Sequence, residues 1–271
     1  MTAGQTKKSP VHSRNNRSDI RYVAYFDFLG FRSWIRSEGS AAVYERVVYL
    51  LGLAVKGSLP NSLVADRMSV KLHRSRVSYF NFSDTVVFYT NNCSYASLKD
   101  LIKTCVNFMV LAVDIHMVRG AIARGVFRVF REDRIHVGEA LLDAHDLAES
   151  QDWIGIAVHK EMEGDPHIQK YCAEYPACLV RYPIPLKNGV CESYCLNWLD
   201  KRVSEWDFFP AEQLQECRLK ALASTAGFPG EITKIERRIE HTRQFLMTFA
   251  PERMRLTLRA ATQARNRERA G

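Results

Sequence analysis

From residue 21 the chain reads RYVAYFDF, an alternation of apolar and polar positions rich in aromatic and β-branched side chains, which predicts a strand. Leu29-Gly30-Phe31 breaks that alternation and opens a predicted helix running to about Val55. The apolar runs RVSYFNF and TVVFYT flank Ser83-Asp84, which predicts a β-hairpin with Asp84 at its turn. Apolar residues at 101, 102, 105, 106, 109, 110 and 113 keep to one helical face and predict a helix from about Ser97 to His116. MVRGAIARGVFRVF returns as a strand with its continuation. A helix is expected from about Val137 to Ser150, a strand at Ile154 to Val158, and two strands, ACLVRYP and VCESYCLNW, around a Lys187-Asn188-Gly189 turn. After Asp200 the pattern is wholly helical, about Pro210 to Ser224, Gly230 to Phe249 and onward from Pro251, punctuated by Pro210, Gly227, Pro229, Gly230 and Pro251.

The order β-α-ββ-α-β predicts an α+β fold, a ferredoxin-like split βαβ sheet with helices on one face, extended by a C-terminal helical segment. Three regions follow: a basic arm over 1–20, a folded unit over 21–200, and a helical extension with a basic tail over 201–271. The length of 271 residues and hydrophobic content of 46% allow one large domain or a domain with an appendage.

The net charge of +8 first suggests a polyanionic partner, but its distribution argues otherwise. Residues 1–21 carry five basic residues and one acid, residues 251–271 carry six Arg and two Glu, and the body between them is neutral. Charge confined to the ends fits solvated tails, whereas a nucleic-acid surface places it on the folded face, so no nucleic-acid partner is expected. The longest apolar stretches, Val47 to Val55 and Val106 to Val113, fall far short of the roughly 20 residues that span a bilayer. No signal-peptide core follows Met1, so a cytoplasmic location with no membrane partner is expected. Seven cysteines without repeated Cys-x-x-Cys spacing, Cys191 and Cys195 sharing one strand, read as buried thiols of a reducing compartment.

Two acids stand in apolar settings where a charge is expensive unless it is used. Asp27 closes the first strand in YFDFLGF, and Asp84 sits at the hairpin tip in FNFSDTVVFY. In a split βαβ sheet these elements are neighbours, so the carboxylates would face each other, and a close desolvated pair repels unless a proton or divalent cations intervene. Two metal ions held by such a pair can activate a hydroxyl and clamp a triphosphate. Taken singly, each is better accounted for as a helix cap at Asp27 and a turn aspartate at Asp84; taken as a pair on adjacent strands, the functional reading draws level. Gly30 permits close backbone approach, and the N–H groups opening the helix favour an anion. Arg119, opening RGAIARG one strand from Asp27, has the fork geometry that meets phosphate oxygens, or else lies along a sheet edge.

Taken in order and spacing, FDFLGF, FSDTVVF, RGAIARG and HVGEALLDAHDLAES resemble the catalytic motifs of class III nucleotidyl cyclases, nearest to the bacterial Pycsar pyrimidine cyclases. The resemblance covers about Tyr22 to Leu199. It implies a homodimeric enzyme in which Asp27, Asp84 and the Phe28 carbonyl bind two Mn²⁺ or Mg²⁺ ions. The backbone from Phe28 through Leu29 and Gly30 to Phe31 would hold the β and γ phosphates, with Phe26 beside it as a further substrate-binding residue and Arg119 as the triphosphate-binding arginine. Lys187 resembles a phosphate-contacting lysine supplied by the partner subunit, or else is a solvent-facing lysine of the turn.

Purine cyclases read their base with a Lys and an Asp where this chain has Phe80 and Ile135, which cannot make charge-assisted bonds to a purine edge. The implied substrate is therefore a pyrimidine triphosphate, UTP ahead of CTP, and the implied product cyclic UMP, a second messenger of antiphage defence read by a separate effector. The family's transition-state Asn and Arg fall on Leu142 and Asp146. Either Arg124, Arg128 or Lys71 replaces their charge, or the fold senses nucleotide without turning it over. Tyr44 and Tyr49 on the first helix would narrow the pocket or simply pack in the core.

Overall fold

The computed structural model describes residues 19–45, 76–113, 116–130, 135–200, 210–223 and 229–270. The predicted arm lies almost wholly outside the described residues, as do Tyr49 and Lys71.

The protein is α+β, built on a mostly antiparallel seven-stranded sheet. Strand β1 (Ile20–Phe28) has consecutive buried residues facing both ways, as a central strand must. It pairs antiparallel with β3 (Thr85–Thr90) on one side and β4 (Val118–Val126) on the other. Strand β2 (Val77–Phe82) lies outside β3. Beyond β4 come β7 (Ile156–Val158), β9 (Gly189–Leu196) and β8 (Leu179–Leu186), for an order β2-β3-β1-β4-β7-β9-β8 in which only β4 and β7 run parallel. The β2–β3 turn is the expected one: Phe82 pairs with Thr85, leaving Ser83-Asp84 as a two-residue loop with Ser83 at φ 54°.

Helix α1 (Phe31–Glu38) does not run unbroken towards Val55. Gly39 takes φ 83° and donates its N–H to the Ile35 carbonyl, ending the helix in a left-handed residue before a helical stretch resumes at 40–45. Tyr44 on that stretch is exposed rather than core. Helix α2 (Tyr95–Val113) matches the predicted span within two or three residues and is buried along most of its surface.

The expectation of helices on one face is corrected. Alternate residues of β1, Tyr22, Ala24, Phe26 and Phe28, share a core with α2, while Val23 and Tyr25 pack with Val87, Tyr89, Ala121 and Ala123 under α3 (Glu139–Ser150) on the opposite face. Helix α3 presents Ala140, Ala144 and Ala148 at i, i+4 and i+8, a stripe too weakly hydrophobic to announce a core contact but small enough to sit close against β1 and β4. Gly138, just before it, lies so close to β4 that an added Cβ would stand 2.1 Å from the Val126 carbonyl oxygen. Helix α3 begins at Glu139 rather than Val137 because Ile135–Val137 forms strand β6, paired with β5 (Arg128–Phe130) in a separate ribbon.

A 3-10 turn at 160–164 and helix α4 (Pro166–Glu174), capped by Asp165 accepting the His167 N–H at 2.7 Å, fill the interval after β7 that the sequence pattern left unassigned. Helices α5 (Pro210–Ala223), α6 (Pro229–Phe249) and α7 (Glu252–Ala270) lie where the pattern placed them. They are no loose appendage. Leu214, Cys217, Ile235, Ile239, Phe245, Leu246 and Leu258 belong to the same hydrophobic core as the sheet, with Phe245 set edge-on against Trp153 and Tyr182.

Candidate functional site

The register places Asp27 opposite Thr85 on β3 and Arg119 on β4, at the end of β1 next to the β2–β3 turn. The Phe28 N–H donates to the Asp84 carbonyl at 3.2 Å, locking the turn against the strand end. The backbones of Asp27 and Asp84 are thus neighbours at one end of the sheet, and both residues are half-buried. Asp27 lies on the odd-numbered face with Val23 and Tyr25, beneath the C-terminal end of α3.

Arg119 is only 4% exposed, and its terminal nitrogens are committed. Nη2 donates to Asp27 Oδ2 at 3.0 Å and to the Glu149 carboxylate, and Nη1 donates to the carbonyls of Glu149 at 3.0 Å and Gln151 at 3.1 Å. The expectation that it meets phosphate is corrected to this extent: adjacent β4 residues point to opposite faces, and its face carries Asp27 and α3, which enclose the guanidinium. Lys187 is the exposed cation here. Its Nζ lies 3.4 Å from Glu149 Oε2 of its own chain, and its N–H donates to the Ser150 carbonyl at 2.7 Å.

Three carboxylates, Asp27, Asp84 and Glu149, therefore share a region with two cations, Arg119 and Lys187. Burial raises Asp27 from 3.8 to about 6; Arg119 opposes this, while the charges of Glu149 and Asp84 reinforce it. Burial holds the Tyr25 phenol above its usual value, opposed by its hydrogen bond with Thr85 and reinforced by the charges of Asp27, Glu149 and Asp84. Burial works against ionised Glu149 as well, but Arg119 and Lys187 prevail and lower it. Glu149 and Gln151 were missed by sequence reading, since nothing local ties the end of one helix to a strand 30 residues earlier.

The remaining expected residues divide. Phe26 packs between Phe88 and Phe108 on the other face of the sheet, so its side chain is core; Phe28 and Leu29 are likewise buried. The N–H groups of Phe28 and Leu29 are spent within the fold, on Asp84 and on Met117 at 2.9 Å. What remains for an anion is the start of α1, where Gly30, exposed at φ 77°, precedes Phe31 with no side-chain cap. Phe80 sits two strands across and one pleat back from Asp27, on the same face. Ile135 does not join it: β6 alternates, so Ile135 points outward at 52% exposure and its neighbour His136 stacks on Phe80 with ring centroids 4.0 Å apart. Arg124 lies 3.1 Å from Asp165 and Arg128 2.9 Å from Asp19, both away from Asp27; Leu142 and Asp146 are exposed on α3.

The donors present are hard oxygens, carboxylates and a carbonyl, the chemistry that suits Mg²⁺ or Mn²⁺, and Asp27 is raised chiefly by burial, with Arg119 opposing and Glu149 and Asp84 reinforcing the shift. Among the described residues no group of three or more His, Cys, Asp or Glu side chains converges as metal ligands, so the fit rests on the Asp27–Asp84 pair with the Phe28 carbonyl. No helix among the described residues is long and apolar enough to cross a membrane. The chain matches no protein-family model and no curated protein.

Proposed function

We propose that the protein is a nucleotidyl cyclase that converts a pyrimidine nucleoside triphosphate, UTP in preference to CTP, into the 3′,5′-cyclic monophosphate and pyrophosphate, acting as a homodimer. The observation that carries the reading is the meeting of Asp27 and Asp84 at the ends of adjacent strands, with Asp27 held at about 6 by burial and by neighbouring carboxylates. The strand order β2-β3-β1-β4 supports it, being compatible with a split βαβ sheet that has Asp27 and the Asp84 turn at one end.

Asp27, Asp84 and the Phe28 carbonyl would hold the divalent cations, which when bound make the ribose 3′-OH more acidic and offset charge on the α-phosphate. Arg119 would hold the Asp27 carboxylate in a fixed orientation through Oδ2. Lys187 and the uncapped start of α1 are the positive elements exposed to the polyphosphate. In the reaction the 3′-oxygen bonds to the α-phosphorus, its proton passes to water, and the bridging bond to the β-phosphate breaks to release pyrophosphate. Phe80 and His136 offer stacked aromatic surface for a base and no carboxylate to read a purine edge.

A nucleotide-sensing module without turnover is the second reading. It is favoured by Asp146, 80% exposed and paired with His145, standing where the family has its transition-state arginine. Incubation with each of the four triphosphates and Mn²⁺, with products identified by mass spectrometry, separates these readings. Cyclic UMP from UTP is expected. Cyclic product from none of the four, or full activity in Asp27→Ala, overturns the cyclase reading, and tight triphosphate binding without pyrophosphate release establishes the module.

A further inference from the structure

We propose that helix α6 positions the candidate site, by gripping residues 152–154 and thereby fixing the two carbonyls that hold Arg119, and through Arg119 the Asp27 carboxylate. The inference rests on the reading of Asp27 as a working carboxylate.

The grip is specific. Asp152 is 1% exposed, and α6 surrounds it: Arg237 reaches both carboxylate oxygens, Arg238 Nε lies 3.4 Å from Oδ1, and His241 Nδ1 is 2.8 Å from the Asp152 carbonyl. One turn on, Thr242 Oγ1 accepts the Ile154 N–H at 2.9 Å, and Phe245 meets the Trp153 indole edge-on with centroids 5.0 Å apart. Three consecutive residues are thus held by one face of one helix. A single peptide link away, the Gln151 carbonyl accepts from Arg119, and Gln151 Nε2 donates to the Gly120 carbonyl at 2.9 Å, tying the same segment to β4.

The arrangement has little slack. Among the described residues Arg119 Nε is buried without an acceptor, and the guanidinium is aimed by what its terminal nitrogens touch: Asp27, Glu149 and two carbonyls of this segment. Burial, and next the charge of Arg119, depress the Arg238 guanidinium, which places the two cations within electrostatic reach of each other. Packing alone would not call for this. Ile235, Ile239, Phe245 and Leu246 already seal α6 to the core, and a buried carboxylate surrounded by arginines adds little stability over apolar side chains. What such a clamp supplies is a defined geometry.

The test compares Asp152→Asn, which keeps the shape and removes the charge, with Arg238→Lys and with a control on the exposed side of α6, Lys234→Ala. Amide hydrogen exchange of the metal-free full chain reports residues 118–120 and 149–153; UTP kinetics with Mn²⁺ report kcat and KM. Asp152→Asn is expected to speed exchange in both stretches by about 5-fold or more. It should also lower kcat by about 10-fold or more while KM moves less than about 3-fold, with the control unchanged. Arg238→Lys, retaining the charge, should fall between the two, and is read in the same way if Asp152→Asn does not fold. A lower melting temperature with exchange at 118–120 and kcat unchanged overturns the proposal. A wild-type chain that makes no cyclic product defeats the functional reading instead, and exchange at 118–120 then decides the coupling alone: faster upholds it, unchanged rejects it.

Discussion

Replacing Asp27 by Asn is expected to stabilise the metal-free protein while removing its activity. The Asp27 carboxyl rises from 3.8 to about 6, chiefly because burial removes water from it. Between those values the folded chain keeps a proton that the unfolded chain has released, so stability falls as pH climbs through that window. Complete ionisation in the fold costs on the order of 3 kcal/mol above about pH 7. Asparagine avoids that cost, and its Oδ1 can still accept from Arg119 Nη2, which now stands 3.0 Å from the carboxylate. Urea denaturation in EDTA at pH 4, 6 and 8 should give nearly equal stabilities at pH 4 and an advantage for Asp27→Asn of about 3 kcal/mol at pH 8. In thermal melts this corresponds to roughly 5–10 °C. Mn²⁺ should close the gap by stabilising the wild type alone. A variant less stable than wild type at pH 8, or a difference that does not change with pH, would refute the picture of a carboxylate held at a cost.

Other perturbations follow from the same geometry. Gly138→Ala brings a methyl to 2.1 Å from the Val126 oxygen and 2.7 Å from the Phe127 Cα, backbone atoms that cannot turn aside, so urea melts should show a loss of several kcal/mol, about 3 or more. Ala144→Leu forces α3 off the sheet; about 1–3 kcal/mol of stability should go, and Tyr25 fluorescence should change as its cover shifts. Lys187→Ala should leave stability within about 1 kcal/mol, since the side chain is 44% exposed. It should raise KM for the triphosphate by about 10-fold with kcat little changed, as expected for a group that binds polyphosphate throughout the reaction.

The parts of this fold that could be read from the chain are those whose information is local. Alternation in RYVAYFDF, the Ser83-Asp84 turn and the helical spacing of α2 each lie within one element, and all three stand in the structure. The meeting of Asp27 with Asp84 was also legible, because strand order fixes which ends are neighbours. The second covered face was not: Ala140, Ala144 and Ala148 carry little hydrophobic signal, and their importance is closeness rather than area. Nor was Ile135 separable from His136 without knowing that the segment is a strand, where a shift of one residue changes the face. Most of the site's electrostatics stayed hidden for a related reason. Glu149, Gln151 and Asp152 are ordinary polar residues at a helix end until β4 and α6 are brought against them from opposite sides.

Because Phe245 closes over Trp153 and Tyr182, the sheet is finished by residues synthesised after all of its strands. Until α6 is made, the Trp153 and Tyr182 rings of the nascent chain lack the Phe245 ring that packs on both of them. A chain that stops short of α6 would carry both aspartates yet lack the contacts of Arg237, Arg238, His241 and Thr242 with residues 152–154.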